Sequence, residues 1–561
     1  MRIEKKIAPG LAALTHPRRD GFVRPALIRS YREGPDDLAI HPGPLDRRAV
    51  CLGFVRSALV AGVAGTAAGC GQVGAARTPG ALTIIQTEAP RGMDPANHTA
   101  TLTGSILDPM YEGLVRQDAA GPPSPLLAAS WDSSVDGLTW TFRLRDGVRF
   151  HDGAPLDAAA VVASFQRLID PGSALAAAGK FRPIIGSVQA LGADAVQFRL
   201  RKPYTDFLTL MAANQASIVS PRAAAAGTLQ RAACGTGPFA FAAWASDEYV
   251  EQRRNPRYWG PPPRLETLRW TWSSEPSVLY MALRTGDADV AAPLSPVFSR
   301  LAVAHPGLGL VHAPGTAFFW IALNTRLAPF DDVRVRQALN YATDRAALVA
   351  GLLGGFGQPA AAPLASRTPF VHPDPVQLRF DPAYARRLLA ETGRGAGLGI
   401  AVATQAADEP LAEALQAMWV KVGVQLEIRR LEGGVYAAEA FAAPSAKAAD
   451  GLGGVLSSWS SGVVPDLQLR PLFDSASAAP AGANLGFYDD PAVDRLIDAA
   501  VGATNVGRRT QLYAAAQSRI IGAAPAVWLY TRDDLVGAQR GVSGLSIRPG
   551  GELIVSGAVK A

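Results

Sequence analysis

Residues 130–169, SWDSSVDGLTWTFRLRDGVRFHDGAPLDAAAVVASFQRLI, constrain the fold more than any other stretch. Trp140, Phe142 and Leu144 fall on one face of a strand, and Thr141, Arg143 and Arg145 on the other, the period of two that a half-buried strand requires. Asp146-Gly147 reads as a hairpin turn with Val148–Phe150 as the return strand, and His151-Asp152-Gly153 turns the chain again. Asp157 is placed to cap a helix whose apolar stripe is Val161, Val162, Phe165, Leu168 and Ile169, a spacing of one helical face. The predicted order is turn, strand, turn, short strand, turn, helix. No residue in it is arranged as a catalyst.

The chain has 561 residues, 48% hydrophobic and 18% charged, with room for two or three globular domains. Its net charge of +6 is unevenly placed: eleven Lys/Arg against six Asp/Glu precede Cys70, which leaves +1 for everything after it. A nearly neutral body gives no argument for nucleic acid or anionic lipid as a partner. The three cysteines are Cys51, Cys70 and Cys234. Cleavage before Cys70 would leave Cys234 as a lone thiol, so no internal disulfide is expected and the core alone must hold the fold.

Ala49–Ala68 is apolar and small-sided, follows Arg47-Arg48, and ends in Ala67-Ala68-Gly69-Cys70. That ending resembles the cleavage and lipidation site of bacterial lipoproteins, with Ala67 where Leu is usual. Arg56 interrupts the apolar run; a mid-membrane Arg costs roughly 2.5–3.5 kcal/mol, which argues against a stable membrane span. The expectation is a leader and export signal over 1–69, lipidation at Cys70 and a linker over 70–80. The alternative is a plain secretory signal cut between Ala68 and Thr78. Met1–Pro44 is rich in Arg and Pro without a period, consistent with a translation start downstream of Met1 or with a cytoplasmic extension.

Further along, Ala81–Thr87 reads as a strand, Val188–Leu200 as two strands about Gly192-Ala193-Asp194, and Phe207–Ala213 as a short helix. Gly235-Thr236-Gly237-Pro238-Phe239-Ala240 matches G-x-G-x-x-A, but Phe239–Trp244 alternates like a strand where a nucleotide site needs a helix. Val333–Ala342 reads as a helix with Val333, Ala338, Leu339 and Ala342 facing the core and Arg334 and Arg336 in solvent. Asp331-Asp332, Asp489-Asp490 and Asp533-Asp534 read as turn or cap positions rather than as acid/base pairs.

Taken in order, several of these segments resemble the family 5 extracellular solute-binding proteins, the peptide- and nickel-binding receptors of bacterial ABC importers. They are Tyr111-Glu112-Gly113-Leu114, the 130–169 stretch, Gly235–Phe239, Arg254-Asn255-Pro256-Arg257-Tyr258-Trp259, Gly286-Asp287-Ala288-Asp289, Pro329–Arg345 and Asp490–Asp494. The resemblance implies an α/β, two-lobed periplasmic-binding-protein fold (type II, the large class with an extra subdomain in lobe one). Lobe one is expected over 81–317 with the extra subdomain at about 111–233, lobe two over 318–524, and a return to lobe one over 525–561.

The resemblance also implies capture rather than chemistry: two hinged lobes close on an extracytoplasmic solute and deliver it to an ABC permease in the inner membrane. The expected location is the periplasm or the outer face of the cytoplasmic membrane, as a monomer, with no cofactor and no catalytic residue. The implied pocket wall is Trp459, Ser460, Ser461 and Gly462, with Trp320, Asn97 and His98 as further candidates. In peptide binders the Trp is followed three residues later by an Asp that pairs with the ligand amine; here that position is Gly462, and the nearest acid is Asp466. This departure predicts a weaker preference for free dipeptides. His98, His151, His305, His312 and His372 show no metal-binding spacing, so no metal site is expected. A nickel chelate, opine or sugar stays open as the solute, as does diversion of the fold to signalling or chaperoning. An enzyme is disfavoured by the lack of G-x-S-x-G, H-E-x-x-H and G-x-x-x-x-G-K-[ST] motifs.

Overall fold

The structure, a computed structural model, describes residues 80–561 apart from 119–120, 361, 373–377, 396 and 461. The leader and export signal, Cys70, all of the 70–80 linker but Gly80, and Ser461 lie outside the described residues.

Two long antiparallel strands, Leu308–Leu323 and Ala526–Gln539, form the axis of an 11-stranded sheet. On one side of them lie Leu452–Trp459, Leu398–Gln405 and Val424–Leu431, the last two parallel. On the other lie Val290–Ala292, Ala81–Gln86, Thr267–Trp272, Tyr249–Arg254 and Phe239–Ala245. Near-continuous apolar runs explain the central strands: Phe318 to Leu323 are all buried, as expected for strands covered on both faces. Pairing between the two long strands breaks between Ala313 and Ala317, where Pro314-Gly315-Thr316 bulges out. A side chain on Gly315 would collide with the Arg532 carbonyl, so the close approach of the two backbones there needs glycine.

A separate four-stranded antiparallel sheet, in the order Ala128–Ser133, Thr139–Leu144, Ala195–Leu200, Ile185–Ala190, carries the alternating residues Trp140 to Leu144. Phe142 and Leu144 are buried and Arg143 is exposed, as the alternation predicts. Asp157 caps the helix Ala158–Ile169 by accepting from the Ala160 N–H at 2.8 Å. Edge-to-face pairs join Phe198 to Phe142 and Phe165 at 5.6 and 4.8 Å, each worth about 0.5–1.5 kcal/mol beyond area burial. The expected return strand Val148–Phe150 does not form; only an isolated Arg149–Pro155 bridge is found. The strand Thr139–Leu144 pairs instead with Ala128–Ser133 before it and with Ala195–Leu200 far beyond it. Ser134 builds the preceding turn, its Oγ accepting from Thr139 N at 2.9 Å, with Gly137 at φ +68°.

The short motifs, scattered along the chain, meet in one knot. Buried Glu112 accepts from Thr236 Oγ1 (2.7 Å), Tyr258 OH (2.7 Å) and Trp259 Nε1 (2.8 Å). His151 bonds the Gly237 carbonyl through Nε2 at 3.0 Å. Gly235 and Gly237 press against the backbone of Pro109 and Met110, where no Cβ fits, and Phe239–Ala245 is a strand. The glycines therefore serve packing, not a phosphate.

Helix Val333–Tyr341 forms as predicted, but two of its assignments reverse. Val333 is 36% exposed, whereas Arg336 is buried. Arg336 donates to Ala523 O, Ala524 O and Phe330 O at 2.7–3.2 Å, filling the carbonyls that the helix Val506–Ala523 leaves unbonded at its end. The stripe alone could not reveal a neighbouring helix terminus that needs donors.

Candidate functional site

A cavity of about 610 Å³ opens where three parts of the chain converge, within the usual range for small-molecule sites, roughly 300–1,000 Å³. One wall comes from Thr99, Thr101 and Gln117, the turn and short helix at Ala176–Lys180, and the Thr209–Gln215 turn. The rest of the lining is Trp459, Ser460, Gly462, Val463, Val464, Leu467 and Pro471, with Arg548, Pro549, Gly550 and Glu552. Threonine, amide and main-chain groups alternate with Trp459, Leu210, Val463 and Leu467, a surface that holds polar groups in fixed directions against apolar area.

Trp459 ends the strand Leu452–Trp459 and faces the cavity, its Nε1 donating to the Leu467 carbonyl at 2.9 Å. Ser460 also lines it, with Oγ 3.0 Å from Thr316 Oγ1, which in turn donates to Pro549 O at 3.3 Å. Gly462 lines it at φ +61°, a left-handed backbone that costs most side chains about 1 kcal/mol. Trp320 is elsewhere: it is 3% exposed and stacks on Phe318 at 5.5 Å in the core. The apolar run of its strand is covered on both faces, which leaves Trp320 no cavity to face.

Asn97 and His98 stand one step behind the wall. Asn97 Oδ1 accepts from Ala176 N at 3.2 Å, and its amide donates to Gln230 Oε1 at 3.0 Å. His98 is buried, with Nε2 3.1 Å from Oδ1 of the lining residue Asn214 and Nδ1 3.1 Å from Ala100 O. Burial pushes its imidazole below the usual range, while the Asn214 contact opposes. Both residues brace the wall rather than form it. The charged lining residues Lys180, Arg548 and Glu552 were not reached from the sequence.

Asp466, the nearest acid to Gly462, is buried and bonded to Arg470 Nε at 2.8 Å. Arg470 also holds Asp474 at 3.1 Å and Asp498 at 3.0 Å. Asp466 is thus committed to a helix-surface network, not to the cavity.

Asp533 and Asp534 are neither turn nor cap residues; they lie within the strand Ala526–Gln539, opposite the Pro314–Thr316 bulge. Asp534 Oδ2 is buried with no hydrogen-bond partner among the described residues. Burial pushes its carboxyl up to about 6; Arg532 and Arg367 oppose, and Glu552 and Asp533 add. A carboxyl that binds its proton more tightly folded than unfolded stabilises the fold in acid and loses that contribution as pH rises from about 4 through about 6. Asp534→Asn is therefore expected to stabilise the protein at about pH 7.5 by up to about 3 kcal/mol and to change little near pH 4. Thermal melts of both proteins at the two pH values check this; an equal shift at both would refute it.

The family model of the bacterial extracellular solute-binding proteins, family 5 (middle), matches residues 122–478. A glutathione-binding protein GsiB of Pectobacterium atrosepticum is 30% identical over 469 residues, covering 82% of this chain and 90% of the relative. Among solved structures, the ABC transporter-associated periplasmic binding protein DppA of Helicobacter pylori, in complex with the peptide STSA, is 27% identical with a TM-score of 0.71, covering 83% of this chain and 95% of that one. A dipeptide-binding protein of Pseudoalteromonas sp. SM9913 in complex with Met-Leu is 25% identical with a TM-score of 0.74, covering 86% and 100%.

Proposed function

Because the chain belongs to the bacterial extracellular solute-binding proteins, family 5, we propose that it captures a peptide-like solute in the cavity faced by Trp459 and delivers it to an ABC permease. The observation that carries this reading is the cavity itself. It is walled by segments from distant parts of the chain, 99–215, 459–471 and 548–552, an arrangement suited to lobes that close on a solute. Lobe one spans 81–317 with a subdomain near 111–233, lobe two 318–524, and the last segment returns to lobe one. The break in pairing at Pro314–Thr316 serves as the hinge, since these three residues lie outside the ladder between the two long strands and small rotations there move whole lobes. The ligand drives closure only by the extra contacts it gains in the closed form. Names of relatives point to glutathione and short peptides. The protein works as a monomer in the periplasm or at the outer face of the cytoplasmic membrane, anchored through Cys70.

Titration calorimetry of the full chain tests the reading. Reduced glutathione, Met-Leu, a serine- and threonine-rich tetrapeptide, a nickel–histidine chelate and mannopinic acid serve as candidate solutes. A peptide-class compound is expected to bind. Trp459→Ala should weaken it about 30-fold, the loss of an aromatic anchor worth about 2 kcal/mol. Binding of the chelate or the opine alone would reject the peptide reading, and unchanged affinity in Trp459→Ala would reject the site.

A further inference from the structure

Among the described residues, three charged side chains line the cavity: Lys180, Arg548 and Glu552. Arg548 is neutralised, with Nη1 2.6 Å from Asp108 Oδ1 and both side chains largely buried. Lys180 and Glu552 are not. Lys180 sits on the short helix Ala178–Phe181 and has no hydrogen bond or ion pair among the described residues. Glu552 folds over Gly550, where a Cβ would meet its Oε2 at 2.5 Å, and its carboxylate likewise has no ion-pair partner among the described residues. Glu552 acts on Lys180 through space yet lies beyond ion-pair distance of it.

Lys180 is desolvated by burial, and two opposite charges that face one cavity without meeting each gain when something pairs with them. A neutral sugar satisfies neither charge. A simple anion pairs with Lys180 and is repelled by Glu552; a simple cation does the reverse. A molecule with a carboxylate at one end and an ammonium at the other satisfies both. Among the described lining residues Glu552 is the one carboxylate; Gly462 carries no side chain, and Asp466 is held by Arg470.

We propose that the cavity selects a zwitterionic solute, Lys180 receiving its carboxylate and Glu552 its ammonium group. This rests on the reading of the cavity as a peptide-type site and adds the two groups that would set its specificity. Burial holds the Lys180 ammonium below its usual range, with Glu552 opposing, so a bound carboxylate gains a poorly solvated cation whose donors are free.

Calorimetry with tri-alanine and reduced glutathione, each also as its N-acetylated and C-amidated derivative, tests the assignment on the full chain. With wild-type protein, blocking either end should weaken binding about ten- to a hundredfold, the range for a lost hydrogen bond to a charged group. Lys180→Gln should weaken the free peptide equally and leave the C-amidated form unaffected; Glu552→Gln should do the same with the N-acetylated form. Equal binding of free and blocked forms to the wild type overturns the proposal whether or not the variants fold. So does a free peptide that binds both variants as tightly as the wild type. If neither free peptide binds the wild type, the peptide reading of the cavity falls, and the proposal with it.

Discussion

Arg345→Met is expected to destabilise the protein by about 3–5 kcal/mol, one of the largest single-residue effects in this fold. Arg345 is 8% exposed and begins the helix Arg345–Leu352. Its Nε donates to Trp528 O at 2.8 Å, Nη1 to Leu378 O at 3.0 Å and Asn340 O at 3.3 Å, and Nη2 to Asn340 Oδ1 at 2.8 Å. The guanidinium thereby ties a central strand, a helix end and a loop together with one planar fork. No carboxylate pairs with it among the described residues, and burial pulls its pKa down to about 10, with Asp344 opposing. It stays charged at neutral pH because the surrounding oxygens replace its water. Methionine matches the length and keeps the packing but leaves those acceptors buried without donors, each costing about 1–3 kcal/mol before relaxation. Lysine supplies three donors from one point and should recover only part of the loss. Urea denaturation of the three proteins measures this; a methionine variant within about 1 kcal/mol of wild type would show that water takes over the donor role.

Arg345 also marks where sequence reasoning stops. A helix whose cap and stripe are local is legible: Asp157, Asp381 and Asp490 each stand directly before a helix with an apolar stripe, and each accepts from a backbone N–H of its first turn. A strand's partner is not local. Nothing in Val148–Phe150 shows that Thr139–Leu144 will pair with residues near 130 and 196 instead. Buried arginines are equally hidden, because Arg336 and Arg345 are demanded by carbonyls that other elements present. Only after the helix Val506–Ala523 has ended at Ala524, in a left-handed conformation, is there anything for Arg336 to fill.

The site divides the same way. Trp459 was reachable because a recognisable segment carries it. Lys180 lies in a run of alanines and glycines and Glu552 in a terminal turn. Neither has a neighbour in sequence that hints at a cavity, and they share one only because the Ala178–Phe181 helix and the last segment converge. Trp320 and His98 are absent from the lining for the opposite reason: burial turns their side chains into support.

Asp206→Ala is expected to weaken ligand binding by about 30-fold or more although Asp206 does not line the cavity, because it removes a contact available only when the proposed lobes are closed. Asp206 precedes the helix Phe207–Met211 of the expected subdomain; Arg509 lies on the helix Val506–Ala523 of the other proposed lobe. The two are ion-paired, with side chains 13% and 9% exposed. Arg509 also lies 4.7 Å from the Phe370 ring. Beside it, Thr205 N donates to Val501 O at 3.2 Å, and Lys202 lies 3.5 Å from Asp498. Val501 packs into the same apolar cluster as Phe198 and Phe207. Burial pushes the Asp206 carboxyl up, against the pull of Arg509, so the pair is costly to desolvate, and truncating one member strands the other, typically at about 3–5 kcal/mol. In an open form both groups return to water and the truncation costs little. The penalty should therefore appear in the closing equilibrium: a lower affinity, a more expanded ligand-bound protein by small-angle scattering, and a nearly unchanged melting temperature without ligand. An equal loss of stability with affinity intact would mean instead that the two elements never part, and that the moving surfaces lie elsewhere along the cleft.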